Sequence, residues 1–529
     1  MSQPLWNPPD YGQSRYQPQE DHDGAALHYM GSSGGATTKQ AGGFVSGEGS
    51  PSHYAPPQQT TQARFQPTGY RDLVFLILFV LHLLIMFGVF GGGMYTTITN
   101  KGAVEEDDRI IHNEFEDKGT FLRLLGVSGL CVLLATALSA VWVVLYRYIP
   151  KALIVCSLVF TFLLFVSYAI SAFAYGSWIA GAILLAFSLF VGLAYLSWRR
   201  RIPFAVEMLK TASSLISQFP ATVTIAYIAL FFQIVWIFFW ATTAVMVQQY
   251  SQAATGVLSV FLLFSFYWTS QVIKNVVHVT AAGTFATWYF RQSNAMPSNP
   301  TLKSFKRAST TSLGSICLGS LIVAVLKTLR AICYSLRRNN SDNIVLVIIG
   351  FLAECIIALL DALLRYFNTY AFTQVAIYGK TYVQAAKDTW EMFTTHGLWA
   401  IINDNIISSV LTLAAFVSGG VTATFAALIT YFVEVDAWIA MTVIGFFVCL
   451  PSPFLLLFSS KLPTFLFVHS FHFLKQIGFV VVLVVLEVVE SAVVTIFVCF
   501  AEDPQTLQFN HPQLHARLQS TYGDAIHFV

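Results

Sequence analysis

Long apolar runs, separated by short polar segments, dominate the chain from about residue 70 to residue 500. A membrane-spanning helix needs about 20 mostly apolar residues, so this pattern predicts an all-α, polytopic membrane protein with about ten transmembrane helices. The transmembrane domain covers residues 71–500, between an N-terminal tail of residues 1–70 and a C-terminal tail of residues 501–529. In chain order, the expected spans are Leu73–Phe90, Phe121–Leu145, Ala152–Phe173, Trp178–Trp198, Ala221–Val247, Thr255–Phe290, Ala308–Leu326, Asn343–Tyr378, Ile406–Phe432 and an interrupted last span, Trp438–Phe500.

One shorter segment, Pro203–Gln218, has the pattern of an amphipathic helix that begins with a proline in its first turn. Its apolar residues recur at helical spacing on one face, and its charged and hydroxyl residues lie on the other. Such a helix lies along the membrane interface. We therefore expect one interfacial helix on the inner leaflet, with this apolar face: Phe204, Met208, Ala212, Leu215, Ile216 and Phe219.

The composition agrees with a membrane protein, because 56% of the 529 residues are hydrophobic and only 11% are charged. Soluble proteins carry about 25% charged residues. The first 70 residues are rich in Gln, Gly, Pro, Ser and Tyr, which predicts a disordered tail without a cleaved signal peptide. A net charge of +2 without a basic stripe indicates no nucleic-acid partner. The expected partners are the lipid bilayer and a small solute.

The sequence contains no complete motif for catalysis, metal binding or nucleotide binding. All seven cysteines lie in apolar segments, which is typical of small buried residues rather than of a disulfide framework or a metal site. Gly379-Lys380-Thr381 is similar to the end of a phosphate-binding loop, but Gln374 stands where the leading glycine is required. We therefore expect no cofactor, no metal site and no enzymatic activity.

Basic residues predict the orientation of the chain, because they collect on the cytoplasmic side of membrane proteins. Three basic clusters fall on the same side as the N-terminus: Arg147 with Lys151, Arg199–Arg201, and Arg291–Arg307. Both termini are accordingly predicted to be cytoplasmic. A fourth cluster, Lys327 to Arg338, is an exception that alternation places in an outside loop. The sequon Asn339-Asn340-Ser341 in the same loop supports that placement and makes Asn339 a candidate glycosylation site.

A polar stripe crosses the sixth predicted span. Gln271, Lys274, Asn275 and His278 share one helix face at spacings of i, i+3, i+4 and i+7. A charge in hydrocarbon costs on the order of 3 kcal/mol or more, so this stripe is a candidate substrate pathway. Two alternatives stay open. Lys274 and His278 could snorkel to the surface, or the stripe could hold neighbouring helices together through interhelical hydrogen bonds.

Four short segments are similar to those of the choline transporter-like family: Gly283–Phe290, Thr311–Ser315, Ala376–Lys380 and Phe497–Asp503. The Gln- and Pro-rich N-terminal tail resembles that of the fungal branch, the "pH nine sensitive" proteins. The resemblance implies ten membrane helices, cytoplasmic termini and a plasma-membrane solute carrier that works without ATP. In animal members the substrates are choline and ethanolamine, so a small organic cation of that type or a related solute is the expected cargo.

The same resemblance implies positions for a site. His278 falls where animal relatives usually have Gln, whereas Asp361, Asn368 and Asp404 match the family's residues. Val494 falls where many relatives have Asp, so either Glu490, about one turn earlier, takes that role or the site is altered. This departure weakens the case for choline itself.

A quaternary ammonium would need aromatic faces and a carboxylate, since each cation–π contact contributes roughly 0.5–2 kcal/mol. Glu354, Asp361 or Glu490 could supply the charge, although Asp361 and Arg365, at i and i+4, could instead pair with each other. Lys274 disfavours a bare cation and could instead couple transport to protons. The candidate aromatic faces, for which lipid-facing packing is the alternative, are Trp236, Trp240, Tyr267 and Trp268.

An insert, Pro451–Val480, interrupts the last span. It has no counterpart in the family, and joining Leu450 to Val481 would restore one span of ordinary length. Its 30 residues correspond to a whole number of codons. We therefore expect either an unspliced intron in the gene model or a species-specific insertion.

Two other functions compete with the carrier. The first is a carrier or channel for another solute or for lipid. The second, from a different class, is a non-transporting membrane scaffold whose disordered tail recruits partners. The sequence contains no feature that decides between them.

Overall fold

The computed structural model describes residues 69–99, 118–248, 250, 252–291, 296–339, 344–396, 399–433 and 465–526. The N-terminal tail before residue 69, the predicted Trp438–Leu450 part of the last span and residues 451–464 of the insert lie outside this description. Within it, fifteen α-helices follow one another: α1 Leu73–Thr99, α2 Lys118–Tyr148, α3 Pro150–Ala174, α4 Trp178–Trp198, α5 Ile202–Gln218, α6 Ala221–Val247, α7 Gln252–Phe290, α8 Pro300–Ser309, α9 Leu313–Asn339, α10 Ile344–Tyr378, α11 Tyr382–His396, α12 Trp399–Val433, α13 Phe465–Glu502, α14 Pro504–Asn510 and α15 Pro512–Ile526.

The predicted polytopic all-α architecture is confirmed. Seven of the described helices are long and apolar enough to cross a membrane. They are α1, α2, α3, α6, α7, α9 and α13, and the other predicted spans correspond to helices α4, α10 and α12. The predicted bounds of α4 and α6 agree with the structure to the residue, because each helix is bounded by polar residues or proline that interrupt the apolar run.

Helix α9 corrects the sequence prediction. The span was expected from Ala308 to about Leu326, with Lys327, Arg330 and Arg337 in the following loop. Instead, α8 is a separate short helix, and α9 continues to Asn339, so all three basic residues lie on a helix. Arg337 is stabilised there by a two-bond ion pair with Glu354 of α10, at 2.9 and 3.1 Å. A local sequence pattern cannot show that a residue has a partner on another helix.

Helix α5 forms where its amphipathic pattern predicts, but its apolar face packs against protein. Phe204, Met208 and Ala212 are buried in the cluster formed with α2 and α13. The sequence analysis assigned this face to the lipid of the inner leaflet. An amphipathic pattern identifies the face that avoids water, and it is the same whether lipid or a neighbouring helix covers that face.

The segment after α13 is not a simple polar tail. It folds into α14 and α15, whose Leu507, Leu514 and Leu518 are buried. Asp503 caps α14 by accepting a hydrogen bond from the Thr506 N–H at 3.0 Å. Several polar residues of these helices are exposed, among them Gln505, Gln508 and Gln513, which explains why the sequence analysis assigned no structure to this segment.

Helix α13 is the centre of the bundle. Within an apolar 18-residue stretch of its span Val481–Glu502, 78% of the residues are buried inside the protein, against 17–39% in the corresponding stretches of the six other apolar spans. It packs against α2, α5, α7, α10 and α12. The helix begins at Phe465 rather than near Val480, so residues 465–480 of the suspected insert continue it. A helix that is apolar on all sides and surrounded by protein leaves its few polar residues facing other helices.

Candidate functional site

Six charged side chains from four helices form a group that we call the mid-depth charge cluster: Lys274 on α7, Lys327 on α9, Asp361 and Arg365 on α10, and Glu487 and Glu490 on α13. At 1.5 Å per residue, Lys274, Asp361 and Glu487 lie about 22–26 Å along their helices from the end where α7, α10 and α13 stop. The other three lie about 18–21 Å from that same end of the bundle. The helices are 27 to 39 residues long, so the charges lie near their middle.

Two ion pairs account for four of the six charges. Lys274 Nζ lies 3.0 Å from Glu487 Oε2 and joins α7 to α13. Arg365 Nη2 lies 3.1 Å from Asp361 Oδ2, which is the i, i+4 pairing that the sequence allowed. The second carboxylate oxygen of Asp361 is buried and has no hydrogen-bond partner among the described residues.

The remaining two charges are Lys327 and Glu490. Neither makes an ion pair with any other residue that the structure describes. Lys327 interacts electrostatically with Arg365, Asp361 and Lys274, and its Nζ lies 5.7 Å from the centre of the Tyr267 ring. Glu490 interacts electrostatically with Lys274 and Glu487. Lys274 is therefore the neighbour that both share.

His278 of the predicted stripe joins three helices. Its Nε2 lies 3.0 Å from the carbonyl oxygen of Thr369 and 3.2 Å from Thr373 Oγ1 on α10. Its Nδ1 lies 2.7 Å from Ser491 Oγ on α13. A carbonyl oxygen only accepts, so Nε2 carries the proton. In the neutral ring Nδ1 is then an acceptor for the single Ser491 hydroxyl proton, for which the Glu487 carbonyl, 2.8 Å from Ser491 Oγ, is the other acceptor. These are interhelical hydrogen bonds of the kind expected for the packing alternative.

The other stripe residues have different surroundings. Asn275 is buried and donates to Ser320 Oγ of α9 at 2.8 Å, which is a second interhelical bond. Gln271 is partly buried and makes no hydrogen bond to another described residue. The stripe thus contains two packing residues, Asn275 and His278, beside one member of the charge cluster, Lys274.

Two predicted residues, Asn368 from the family resemblance and Glu354 as a candidate carboxylate, make their direct contacts outside the charge cluster. Asn368 binds the Gly319 carbonyl at 3.1 Å and accepts a bond from the Tyr382 hydroxyl. Glu354 is occupied by Arg337. The side chain of Asp404, on α12, lies outside the described residues.

The four candidate aromatic residues are not assembled into one cage. Trp268 is buried against Phe79 of α1 and donates to the Cys317 carbonyl at 3.1 Å. Trp236 and Trp240 belong to a separate apolar cluster formed by α1, α6 and α7. Tyr267 alone approaches the charge cluster, through Lys327.

Access to the cluster is uneven. The side chains of Lys274 and Arg365 are 49% and 50% exposed, although both lie near the middle of their helices. Charged groups at that depth face a protein interior or a wet cavity rather than lipid. From the exposed surface of Lys274 and Arg365 we infer a polar cleft between α7, α10 and α13.

One end of the bundle, where α1 and α9 begin and α7, α10 and α13 stop, is closed by a set of contacts. We call this end the motif end. Arg71 N–H donates to the Thr311 carbonyl at 3.0 Å, and Arg71 Nε donates to the Gly379 carbonyl at 3.2 Å. Asp72 accepts from Ser315 Oγ at 2.6 Å and from the Tyr382 N–H at 2.8 Å.

The same end is closed a second time around α13. The Gln374 amide and the Tyr378 hydroxyl both donate to the Glu502 carboxylate. The Tyr289 hydroxyl donates to the Asp503 carbonyl at 2.8 Å. All four family-like segments contribute to the motif end, so they maintain one face of the bundle rather than the charge cluster.

A cavity beside α8 is too small for a solute. It is lined by Ser304, Arg307 and Ser312 among others, and its volume is about 10 Å³, which is room for one water molecule. Within the described residues, no group of His, Cys, Asp and Glu has the geometry of a metal site.

Sequence reasoning missed Lys327, Glu487 and Ser491 as members of this region. Lys327 was assigned to a loop, and Glu487 and Ser491 were not singled out, although they share a helix face with the predicted Glu490 at spacings of i, i+3 and i+4. The available signal was their rarity, because an ionisable residue in an apolar span is a candidate functional residue by default.

Comparison with known proteins places this bundle among transport proteins. The sequence profile of a family described as "Plasma-membrane choline transporter" matches residues 182–505. A CTL-like protein of Dictyostelium discoideum is 31% identical over 468 residues, which cover 87% of this chain and 77% of that protein. The PNS1 protein of Mycosarcoma maydis is 29% identical over 542 residues, which cover 97% of this chain and 96% of that protein.

Proposed function

The chain belongs to the choline transporter-like family, and from that premise we propose that it is a plasma-membrane solute carrier working without ATP. Its cargo is a small organic cation of the choline or ethanolamine type, or a related solute. The observation that carries this proposal is the mid-depth charge cluster, which is accessible on one side and closed off at the motif end. A carrier needs a central site with one open approach at a time.

The cluster suits this task because its pairs can exchange partners. The Lys274–Glu487 pair joins α7 to α13, and Glu490 is a nearby carboxylate that an arriving cation can engage. Tyr267 offers an aromatic face at the edge of the cluster. Trp236, Trp240 and Trp268 act in this proposal as packing residues that position α7 against α1 and α6.

The contacts at the motif end supply the second gate. Opening the cluster toward that end requires the Glu502 bonds to Gln374 and Tyr378, and those of Asp72, to separate. With both termini in the cytoplasm, as the basic clusters favour, the motif end is the cytoplasmic gate and the cleft opens to the outside.

Uptake into proteoliposomes tests this function. Purified protein is reconstituted, and uptake of radiolabelled choline and ethanolamine is measured with and without a pH gradient. We expect saturable uptake above that of empty liposomes. Absence of uptake of both solutes by folded protein would contradict the proposed cargo and would favour another solute, a lipid or the scaffold function.

A pair of lysine variants tests the site. Lys274→Met removes the ion pair with Glu487 and is expected to lower uptake at least tenfold at equal abundance in the membrane. Lys303→Met is the matched control, because Lys303 is an exposed lysine on the short helix α8, outside the charge cluster. Equal uptake by both variants would show that the Lys274–Glu487 pair is not part of the transport pathway.

A further inference from the structure

We propose that the solute preferred by this carrier is a zwitterion that carries a quaternary or primary ammonium and an acidic group. This inference rests on the proposed function and specifies its substrate class. The ammonium end would face Glu490, and the acidic end would face Lys327. The juxtaposition of one surplus cation and one surplus anion within the mid-depth charge cluster is the basis of the proposal.

Charge accounting divides the cluster into two halves. On α9 and α10, Lys327, Asp361 and Arg365 sum to a charge of +1, because Arg365 pairs with Asp361 and Lys327 is left over. On α7 and α13, Lys274, Glu487 and Glu490 sum to −1, because Lys274 pairs with Glu487 and Glu490 is left over. His278 meets its hydrogen bonds as a neutral ring and adds no charge.

The two halves are adjacent. Lys274 interacts electrostatically both with Lys327 in the positive half and with Glu490 in the negative half. Helix α7 contacts both α9 and α13. A solute that lies beside Lys274 can therefore reach a surplus charge of each sign.

A bare cation would satisfy only one half. It would neutralise Glu490 but leave Lys327 without a counter-ion at a depth where an unpaired charge is expensive. A bare anion would neutralise Lys327 but leave Glu490 without a counter-ion. A zwitterion neutralises both surplus charges, so that the closed site holds no uncompensated charge.

Two further contacts favour this orientation. The Tyr267 ring lies 5.7 Å from Lys327 Nζ and stabilises the lysine as a cation. The half-exposed Arg365 provides a second donor for an acidic group that enters from the cleft.

The experiment compares solutes that differ only in the acidic group. Counterflow into proteoliposomes is measured for radiolabelled choline and for trimethylammonio carboxylates with one, two or three methylene groups between the charges. Choline carries the same trimethylammonium head with a hydroxyl in place of the carboxylate. We expect at least one of the zwitterions to show a half-saturating concentration tenfold or more below that of choline.

Variants locate the acidic end. Lys327→Met is expected to raise the half-saturating concentration of the best zwitterion at least tenfold while changing that of choline less than threefold, and Lys327→Arg is expected to restore most of the affinity. Arg330→Met is the matched control, since Arg330 is an exposed basic residue one turn further along α9. The comparison of solutes in the unchanged protein stands even when a variant does not fold.

The outcomes separate this inference from the proposed function. Transport of choline with no zwitterion transported, or an equal effect of Lys327→Met on both classes, would overturn the zwitterion inference and leave the carrier intact. Absence of uptake of every solute tested, by protein of normal size-exclusion profile, would overturn the proposed cargo as well.

Discussion

His278 shows how much one side chain contributes to this bundle. Its two ring nitrogens contact α10 and α13 while its backbone belongs to α7, so it fixes the positions of the three helices that line the cleft. The Ser491 hydroxyl also lies 2.8 Å from the Glu487 carbonyl, one turn before it on α13. Ser491 therefore lies between His278 and the backbone of Glu487, the residue whose side chain pairs with Lys274.

We expect His278→Ala to destabilise the protein by about 1–3 kcal/mol, since two to three interhelical hydrogen bonds are lost and a cavity is left. His278→Gln should recover part of that loss, because an amide can both donate to the Thr369 carbonyl and accept from Ser491. Thermal unfolding in detergent measures the difference. Equal losses for both variants would contradict a hydrogen-bonding role.

His511, between α14 and α15, introduces a pH dependence outside the membrane. Its ring stacks on Trp288 with centroids 4.0 Å apart, and burial lowers the pKa of the imidazole below its usual value. The docked state therefore binds fewer protons than the undocked state, so docking is weakened as the pH falls below about 6.5.

The protection of residues 504–526 against hydrogen exchange, measured relative to the intrinsic exchange rate at each pH, is accordingly expected to be weaker at pH 5.5 than at pH 7.5. In His511→Phe the aromatic contact with Trp288 is kept and the titrating group is removed, so the difference between the two pH values should shrink. An undiminished pH effect in this variant would assign the effect to another group.

At the scale of elements, the segment before α1 is packed tightly against the start of α9. Asp72 has a positive φ of 51°, and its carboxylate bridges Ser315 and the first residue of α11. This approach requires Gly314, because a Cβ there would lie 2.2 Å from the Arg71 carbonyl oxygen and 2.5 Å from that of Asp72. These are backbone atoms that no rotamer change can move.

Gly314→Ala is therefore expected to displace residues 69–72 and to lower stability by about 1–3 kcal/mol. Gly88→Ala on α1 is the control, since nothing lies within 4 Å of its added Cβ. Thermal unfolding of both variants checks the prediction. A loss of stability in Gly88→Ala as large as that in Gly314→Ala would show that the close approach is not the cause.

Elements also show where local patterns end. The bounds of α4 and α6 follow from apolar runs flanked by proline and arginine, which act within a few residues. The C-terminal end of α9 does not follow from such a local pattern. Arg337 is stabilised in this helix by the ion pair with Glu354 of the next helix. The apolar face of α5 was recognised, but the element that covers it was not.

For the whole molecule, the central question is orientation. The positive-inside pattern predicts cytoplasmic termini. The alternation of spans then places the end of α9 outside, as an exception to that pattern. If Asn339 carries a glycan, treatment with an endoglycosidase should increase the gel mobility of the natural protein, and Asn339→Gln should show the faster mobility without treatment. Asn299→Gln is the control, because Pro300 prevents modification of Asn299. A mobility unchanged by Asn339→Gln would remove this support for the topology.

The insert at Pro451–Val480 stays a prediction. Residues 451–464 lie outside the described part of the chain, and residues 465–480 extend α13. Sequencing of transcripts is expected to show the 30 codons removed in the principal messenger. Retention of these codons in the translated form would contradict the unspliced-intron explanation and favour a species-specific insertion.

Hydropathy, composition and short-range spacing were sufficient to predict a polytopic helical protein, most of its spans and the polar stripe on α7. These properties depend on the free energy of transferring each segment from water into the bilayer, which is a sum over residues that are neighbours in the sequence. Family-like segments, also local, were sufficient to predict the family. The roles of these segments in closing the motif end required the contacts between Arg71, Gly379 and Glu502 to be seen.

Only the tertiary structure determined which charges pair and which do not. Glu487 lies 213 residues from its partner Lys274, and Lys327 becomes a surplus cation only because Arg365 occupies Asp361. Electrostatic energy depends on distance in space and on the surrounding medium, neither of which is a property of sequence order. The packing of α7, α9, α10 and α13 brings six scattered charges into one site, and that packing is the sum of many weak contacts across the whole bundle.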